Sequence, residues 1–355
     1  PTRCITLLRS PMSGLVSTNL STPVIRRGLG RSAYWRVASA AFTAAAQAAC
    51  AHEYAPLIWA KKYAEVERAT SSRLSTEPHN ADALVARVDL ILSQAQDSRY
   101  DDAVTLAEQC ISAHPQQSEC HEALGNALGA KAMSSGIVSA IGYASRIRDA
   151  FKKAVALDPN NLDARFSLLQ YYLQAPGIVG GGKDHAQELV AQTAKLHGDA
   201  ARLMQARLDL ANGAYAKAEA AALSLPALGS QSLLDSQKEL LISLGSKYVQ
   251  EKKYADSQRV FEALASRFAD SEWGPYGLAR TLQEQGKARE ALALFEKALT
   301  IEPGAHIHYR MAQCWQALSD KSKAVTAYEK ALDFKPALNK KQRSDAQDQL
   351  RGLKG

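Results

Sequence analysis

Apolar and small residues recur every three or four positions along most of this chain, which is the spacing of an amphipathic helix. The pattern is clearest in residues 273–336, where one series of packing residues occurs twice. Its members are Ala291, Phe295, Ala298 and Pro303 in the first copy, and Ala324, Tyr328, Ala331 and Pro336 in the second. The copies are 33 residues apart, and a period of this length predicts a stacked array of helical hairpins.

A second group of packing residues precedes each series. These residues are Leu278, Ala279 and Leu282 in the first copy, and Met311, Ala312 and Trp315 in the second. Together the two groups resemble the tetratricopeptide repeat, in which small residues let two helices approach and large residues fill the space between them. The resemblance implies an all-α fold, a right-handed α-solenoid of tetratricopeptide-like helical hairpins. Because one fold serves many functions, it implies little about chemistry.

Weaker copies of the hairpin fill the rest of residues 52–337, and together they predict a solenoid of about six to seven hairpins. One hairpin is lengthened near residues 134–136, and a Gly-rich segment interrupts the next at residues 175–182. Residues 338–355 predict a polar helix that caps the array. Residues 166–182 also resemble a segment of bacterial exported tetratricopeptide proteins of undefined role, which implies a location in the bacterial cell envelope.

The net charge of +7 comes from one end of the chain. Residues 1–52 contain six arginines and no acidic residue, and removing these six from the 43 basic residues leaves 37 against 36 acidic ones. The body is therefore nearly neutral, and the overall charge does not indicate nucleic-acid binding. The chain has no apolar run of about 18 residues, which excludes a protein with several membrane-spanning helices.

Residues 1–51 predict a targeting leader. A positive region at 26–36 precedes a modestly apolar region at 37–46, and small residues that suit cleavage follow at 46–51. This order is typical of a secretory signal peptide that is removed, with Met12 as the true start, and it predicts a periplasmic or exported protein. An arginine-rich leader without acids is also typical of a mitochondrial transit peptide, so a mitochondrial tetratricopeptide protein is the alternative.

Three cysteines lie in the body of the chain. Cys110 and Cys120 are either small buried apolar residues or partners in a disulfide formed in an oxidising compartment, and their spacing does not decide between these. Cys314 stands alone in a helix. No Cys/His pair has the spacing of zinc ligands, and the sequence predicts no metal and no cofactor.

The segment Gly177–Asp184 nearly matches the phosphate-binding loop G-x-x-x-x-G-K-[ST]. Asp184 stands where that loop has a hydroxyl, and the preceding residues have a helical pattern rather than the strand that such a loop follows. The favoured interpretation is a reversing loop, in which Pro176 ends one helix and the glycines adopt positive φ. Nucleotide binding by residues 177–184 is the less favoured alternative.

A candidate partner-binding groove follows from the helical spacing of polar and aromatic residues. Residues at i, i+4 and i+7 share one face of a helix, and this face recurs in the next copy. The predicted groove residues are Tyr276, Arg280, Gln283, Tyr309, Arg310 and Gln313. Resemblance to tetratricopeptide arrays implies that this stripe lines the inner surface that takes peptides, and that none of these residues packs in the core. The alternative is an ordinary amphipathic surface.

These patterns predict a non-catalytic protein-binding scaffold or adaptor that uses a tetratricopeptide groove in the bacterial cell envelope. A structural subunit that self-assembles is a further alternative. No serine or cysteine has a recognisable histidine and acid arrangement, so an enzyme is not predicted. The expected partners are other proteins or peptides, with no nucleic acid and no integral membrane span.

Overall fold

The computed structural model describes residues 52–135, 137–225, 230–335 and 337–355, and the predicted leader lies outside these ranges. The described residues form seventeen α-helices and no strand. In chain order the helices are α1 (Ala55–Trp59), α2 (Tyr63–Thr76), α3 (Ala81–Ser93), α4 (Tyr100–Ala113), α5 (Ser118–Ser135), α6 (Ile137–Leu157), α7 (Leu162–Gln174), α8 (Lys183–Ala194), α9 (Gly198–Ala211), α10 (Tyr215–Ser224), α11 (Gln231–Gln250), α12 (Tyr254–Arg267), α13 (Trp273–Glu284), α14 (Ala288–Ile301), α15 (Ala305–Ala317), α16 (Lys321–Asp333) and α17 (Lys340–Lys354).

Short polar residues and glycines set the ends of several helices. The side chains of Asn80, Asn161 and Ser230 each accept a hydrogen bond from a free amide in the first turn of α3, α7 and α11. Gly213 and Gly286 form the turns after α9 and α13, each at a φ of 78° that favours glycine. These local signals divide the chain into hairpins before any long-range contact forms.

Helices α3 to α16 make seven hairpins that stack into a solenoid. The first helices of successive hairpins touch one another, as α3 touches α5 and α11 touches α13. This contact pattern places the first helices on the inner, concave side of the stack. The array is curved enough that α7 also touches α11, two hairpins further along. The expected all-α solenoid is confirmed.

Aromatic side chains fill the space that small residues leave between the helices. Phe261, which is 1% exposed, lies against Gly245 and Gly277, where an added Cβ would come within 2.6 Å and 2.1 Å of its ring. Phe295 and Tyr328, from the two clear copies of the repeat, are fully buried. Pro336, the last residue of the second copy, lies outside the described residues.

Cys110 and Cys120 form a disulfide that joins the end of α4 to the start of α5, with their Cα atoms 5.4 Å apart. The structure therefore favours the bridged interpretation. Both residues are fully buried between helices that pack directly against each other, so bridging needs no movement of the backbone. A bridge of this kind adds about 2 to 4 kcal/mol of stability. Cys314 is buried and unpaired.

The C-terminal helix α17 covers the end of the array. Its one buried residue is Ala346, and Leu350 and Leu353 pack with it against the core of the last hairpin. Most of its lysines and arginines face water. None of the helices in the described ranges has the length and apolar character needed to span a membrane.

The contact between glycine and aromatic residues gives a stability test. Gly277→Ala should lower the free energy of unfolding by about 1 to 3 kcal/mol, because its Cβ would overlap the Phe261 ring. Gly142→Ala is the control, since Gly142 is helical and exposed and no heavy atom lies within 4 Å of the added Cβ. It should raise stability by roughly 0.5 to 1 kcal/mol through helix propensity. Chemical denaturation of both variants measures this, and equal effects would contradict the packing account.

Candidate functional site

A large groove lies on the concave side of the N-terminal half of the solenoid. Its volume is about 950 Å³, and its walls come from α1, α3, α5, α6, α7, α9 and α11. Apolar side chains form much of the surface, among them Val85, Ala123, Phe151 and Phe166. The stacking of first helices explains the position of the groove. The array is curved there, so the inner faces of these helices approach one another and α7 contacts α11.

Acidic residues are concentrated in this groove. Six carboxylates line it: Asp89, Glu119, Glu122, Asp163, Asp235 and Glu239. Arg207 is the one lysine or arginine among the described lining residues. The body as a whole is almost balanced in charge, so the groove is a local concentration of acidic residues.

Half of these carboxylates have basic neighbours. The pairs are His52 Nε2 with Asp89 Oδ2 at 2.9 Å, Lys238 Nζ with Asp235 Oδ1 at 2.7 Å, and Arg207 Nη2 with Glu239 Oε2 at 2.7 Å. The other three, Glu119, Glu122 and Asp163, form no ion pair with any residue that the structure describes. Glu119 and Glu122 lie on α5, and Asp163 lies on α7.

Glu122 and Asp163 are held by neutral hydrogen-bond donors. Asn161 Nδ2 donates to Glu122 Oε2 at 2.8 Å, and Ser232 Oγ donates to Asp163 Oδ2 at 2.9 Å. Burial raises the pKa of Glu122 to about 8, and the charge of Asp163 acts in the same direction. Partial loss of water inside the groove raises the pKa of Asp163 as well, and the nearby charge of Asp89 acts in the same direction. The side chain of Asp163 still reaches solvent through the opening of the groove. The two groups therefore lack a positive charge nearby.

Three residues in the groove wall have buried polar atoms without a hydrogen-bond partner among the described residues. They are Nδ1 of His52, a residue 7% exposed, Oγ of Ser236, a residue 4% exposed, and Nε of Arg207. His52 precedes α1 and Ser236 lies on α11, so the two come from distant parts of the chain. A buried polar atom without a partner costs about 1 to 3 kcal/mol, and such atoms in a groove wall point to a ligand or water that satisfies them.

Exposed apolar side chains surround the same groove. Trp59 (49% exposed), Met133 (82%) and Ile141 (53%) all line it. Met133 and Ile141 lie near the tip of the lengthened hairpin formed by α5 and α6, which the sequence marked as irregular. Ile178, on the Gly-rich loop, is 91% exposed and is followed by the groove residue Val179. Both interruptions of the repeat pattern thus add apolar surface to one place.

The Gly-rich loop is built into the wall of the groove. Three of its amides donate to backbone carbonyls: Gly180 to Gly177 (2.9 Å), Gly181 to Pro176 (3.2 Å) and Gly182 to Tyr172 (2.8 Å). The Val179 carbonyl accepts hydrogen bonds from Tyr171 Oη at 2.6 Å and Arg148 Nη1 at 3.2 Å. A phosphate-binding loop needs free amides and a preceding strand, whereas this loop joins two helices. The geometry fits the reversing-loop interpretation.

The predicted groove stripe lies further along the array, and two of its residues are not on the surface. Tyr276 is 5% exposed and packs against Phe295, and Tyr309 is 7% exposed and donates its hydroxyl to Asp345 Oδ2 at 2.6 Å. The expectation that no stripe residue packs in the core is therefore wrong for both tyrosines. The physical reason is that the inner face of a first helix also contacts the first helix of the next hairpin. A tyrosine on that face is therefore covered by the next hairpin instead of facing solvent.

The polar members of the stripe connect neighbouring inner helices. Gln283 Nε2 donates to Gln313 Oε1 at 3.3 Å, and Arg310 Nη1 donates to Gln283 Oε1 at 3.5 Å. Arg280 Nη1 donates to Ser246 Oγ at 3.5 Å, and burial lowers the pKa of Arg280. The structure thus brings Arg280, Gln283, Arg310 and Gln313 into one partly exposed band, and their role in binding stays a prediction.

The described part of the chain was compared with two other kinds of site, a metal centre and a nucleophile paired with a base. No group of three or more histidine, cysteine, aspartate or glutamate residues there is placed to hold a metal ion. The histidine rings that hydrogen-bond there contact Asp89, Asn160 or backbone carbonyls, and none contacts a serine, threonine or cysteine side chain. Within these residues, the contact between nucleophile and base that covalent catalysis uses is therefore missing.

Two models of the tetratricopeptide repeat match this chain, one over residues 248–314 and the other over residues 305–338. Residues 248–338 therefore contain tetratricopeptide repeats, as the spacing of the packing residues there predicts. Such repeats generally bind proteins and do not catalyse reactions, which supports a protein-interaction scaffold. Among curated proteins, no sequence matches this chain.

Several solved structures share the shape of the fold. The human IFIT1 dimer with m7Gppp-AAAA is 17% identical with a TM-score of 0.50, and the match covers 77% of this chain and 62% of that one. A tetratricopeptide repeat protein from Parabacteroides merdae is 16% identical with a TM-score of 0.43, covering 85% and 96%. The Cut9–Hcn1 structure is also 16% identical, with a TM-score of 0.43 and coverage of 82% and 52%, so this chain spans about half of that one. Of these three matches, the one to IFIT1 alone reaches a TM-score of 0.50, and at 17% identity it shows the fold and nothing more.

The pKa of Glu122 gives a pH test. The carboxyl has an ordinary pKa of 4.5 and a folded pKa of about 8, so between these values the folded state holds a proton that the unfolded chain has lost. Stability should therefore fall as pH rises from about 4.5 to 8, by up to about 1.4 kcal/mol per pH unit.

Glu122→Gln is the matched variant, because glutamine keeps the hydrogen-bond acceptor for Asn161 and does not titrate. Its free energy of unfolding, measured by denaturant titration at each pH, should lack this decline. Parallel pH profiles for the two proteins would contradict the raised pKa of Glu122.

Proposed function

We propose that this protein is a non-catalytic scaffold that holds a segment of a partner protein in its concave groove. The observation that carries the proposal is the groove of about 950 Å³ with Trp59, Met133 and Ile141 exposed around it. Monomeric proteins rarely leave large apolar side chains clustered in water, and such clusters mark interaction sites. Helical or extended segments commonly bind in apolar grooves of this kind.

The polar band of Arg280, Gln283, Arg310 and Gln313 extends the binding surface along the inner helices. It follows the groove on first helices of the same array, and partner-binding hot spots are rich in arginine. Tyr276 and Tyr309 position this band from beneath rather than touching the partner. In this proposal the groove anchors the partner and the band contacts its continuation.

Nucleic acid is a poor fit for the same surface. The human IFIT1 structure holds m7Gppp-AAAA, but a groove with six carboxylates and one arginine repels a phosphate backbone. Nucleotide binding at the Gly-rich loop is disfavoured because its amides already donate to carbonyls. These charges and contacts favour a polypeptide partner.

Photocrosslinking tests the groove directly. A photoreactive residue at position 133 should form an adduct with a partner polypeptide in native cells, and one at position 283 should react with the same polypeptide. Position 196 is the control, because Leu196 is apolar and 49% exposed but does not line the groove. Adducts only with further copies of this chain would instead indicate a self-assembling subunit, and adducts at 196 alone would contradict the groove.

The location is proposed to be the bacterial cell envelope, outside the cytoplasm. Two features support it: the order of positive, apolar and small residues in the leader, and two cysteines placed to form a disulfide, a bond that persists in oxidising compartments. Mass spectrometry of the protein from its native cells should find a start near Ala49 or His52 and a bridged peptide containing Cys110 and Cys120. A full-length, fully reduced protein as the one species found would refute this location.

A further inference from the structure

We infer that the groove selects a cationic amphipathic segment, whose lysine or arginine binds between Glu122 and Asp163 while its apolar side chains contact Trp59, Met133 and Ile141. This inference rests on the proposed function and names the chemistry of the partner. Charge complementarity supports it first. The groove has six carboxylates and one arginine within a body whose charges nearly cancel, so a basic segment is attracted to this surface in preference to others.

The groove carboxylates without a basic neighbour mark where a cation of the partner would bind. Asp89, Asp235 and Glu239 already have basic neighbours, whereas Glu119, Glu122 and Asp163 have none among the described residues. Glu122 and Asp163 each receive a hydrogen bond from a neutral side chain and keep further acceptor capacity. A lysine or arginine of the partner beside them would favour the ionised form of both carboxyls, so Glu122 would release its proton on binding, and it would add charge-assisted hydrogen bonds.

Unpartnered polar atoms provide a second, independent indication of a ligand. Nδ1 of His52 and Oγ of Ser236 are buried in the groove wall without hydrogen-bond partners in the described part of the chain. The other ring nitrogen of His52 is hydrogen-bonded to Asp89, whereas Ser236 Oγ is bonded to none of the groove carboxylates. The polar backbone of a bound polypeptide, or water held by it, offers partners to such atoms.

The apolar residues define the rest of the segment. Met133 and Ile141 are exposed on one side of the groove, and Trp59 provides an aromatic face that can also attract a cation. Met133 is unbranched and adapts to partners of different shape. A segment that alternates basic and apolar residues matches both the acidic centre and the apolar surround, whereas an acidic segment meets like charge.

Three labelled peptides test this selectivity against the full chain by fluorescence anisotropy. The first is an amphipathic peptide of leucine and lysine, the second has glutamine in place of each lysine, and the third has glutamate there. The lysine peptide should bind at least about 10-fold more tightly than the glutamine peptide, with an affinity that falls as salt increases. The glutamate peptide should not bind.

Glu122→Gln with Asp163→Asn should weaken binding of the lysine peptide by about 10-fold or more and leave the glutamine peptide unchanged. The control is Glu262→Gln with Glu296→Gln, which replaces two carboxyl groups by amides at exposed positions on α12 and α14, outside the groove. This control should bind as the wild type does. Thermal melts show whether each variant is folded, and the salt dependence of the wild type tests the same point without any substitution.

Failure of this inference can be separated from failure of the proposed function. If the lysine and glutamine peptides bind equally and Met133→Ser with Ile141→Ser weakens both, the groove is a binding site without cation selectivity, and the inference is refuted. If none of the three peptides binds, the inference is also refuted, whatever adducts form at position 133. Equal loss of lysine-peptide binding in the control variant would show a long-range field effect and would likewise overturn it.

Discussion

The close approach of paired helices, made possible by small residues facing aromatic rings, is the constraint on which the rest of this structure depends. Phe261 fits against Gly245 and Gly277 because neither glycine has a side chain at the point of contact. The same kind of contact places Phe151 against Gly125 in the lengthened hairpin. Close packing of this kind leaves the first helix of a hairpin free to stack on the next first helix, and the concave surface follows from that stacking.

The groove forms where this regular stack is modified. The longer α5 and α6 extend beyond their neighbours. The loop after α7 folds back so that the Val179 carbonyl accepts hydrogen bonds from Arg148 on α6 and Tyr171 on α7. Neither modification disturbs the packing of small and aromatic residues inside the hairpins. They add Met133, Ile141 and Val179 to a surface whose centre is acidic, so repeats of one architecture produce a local site with its own chemistry.

Burial and like charge act together in this site. Glu122 is held near Asp163, and a neutral amide rather than a basic group satisfies one of its oxygens. Such an arrangement lowers the stability of the free protein, and a bound cation would recover part of that loss. Interfaces often contain groups that are poorly satisfied in the free protein, because the partner supplies the missing contact.

The sequence by itself determined the helices, the repeat and its register, because these depend on the spacing of residues close together in the chain. Ala291, Phe295 and Ala298 identify one hairpin, and Pro176 identifies the end of a helix, without any tertiary information. The two irregular segments were also visible, since each breaks a local pattern. The all-α solenoid of helical hairpins could therefore be predicted from the sequence. The curvature of the array could not.

Only the tertiary structure decided where the candidate site lies. Its carboxylates come from four helices between residues 89 and 239, and Asp163 contacts Ser232, 69 positions further along the chain, because the solenoid curves. No local pattern encodes that curvature, which is the sum of small rotations between successive hairpins. The same limit explains Tyr276 and Tyr309. Helical spacing places them on one face, but whether that face meets solvent or the next hairpin depends on how the hairpins stack.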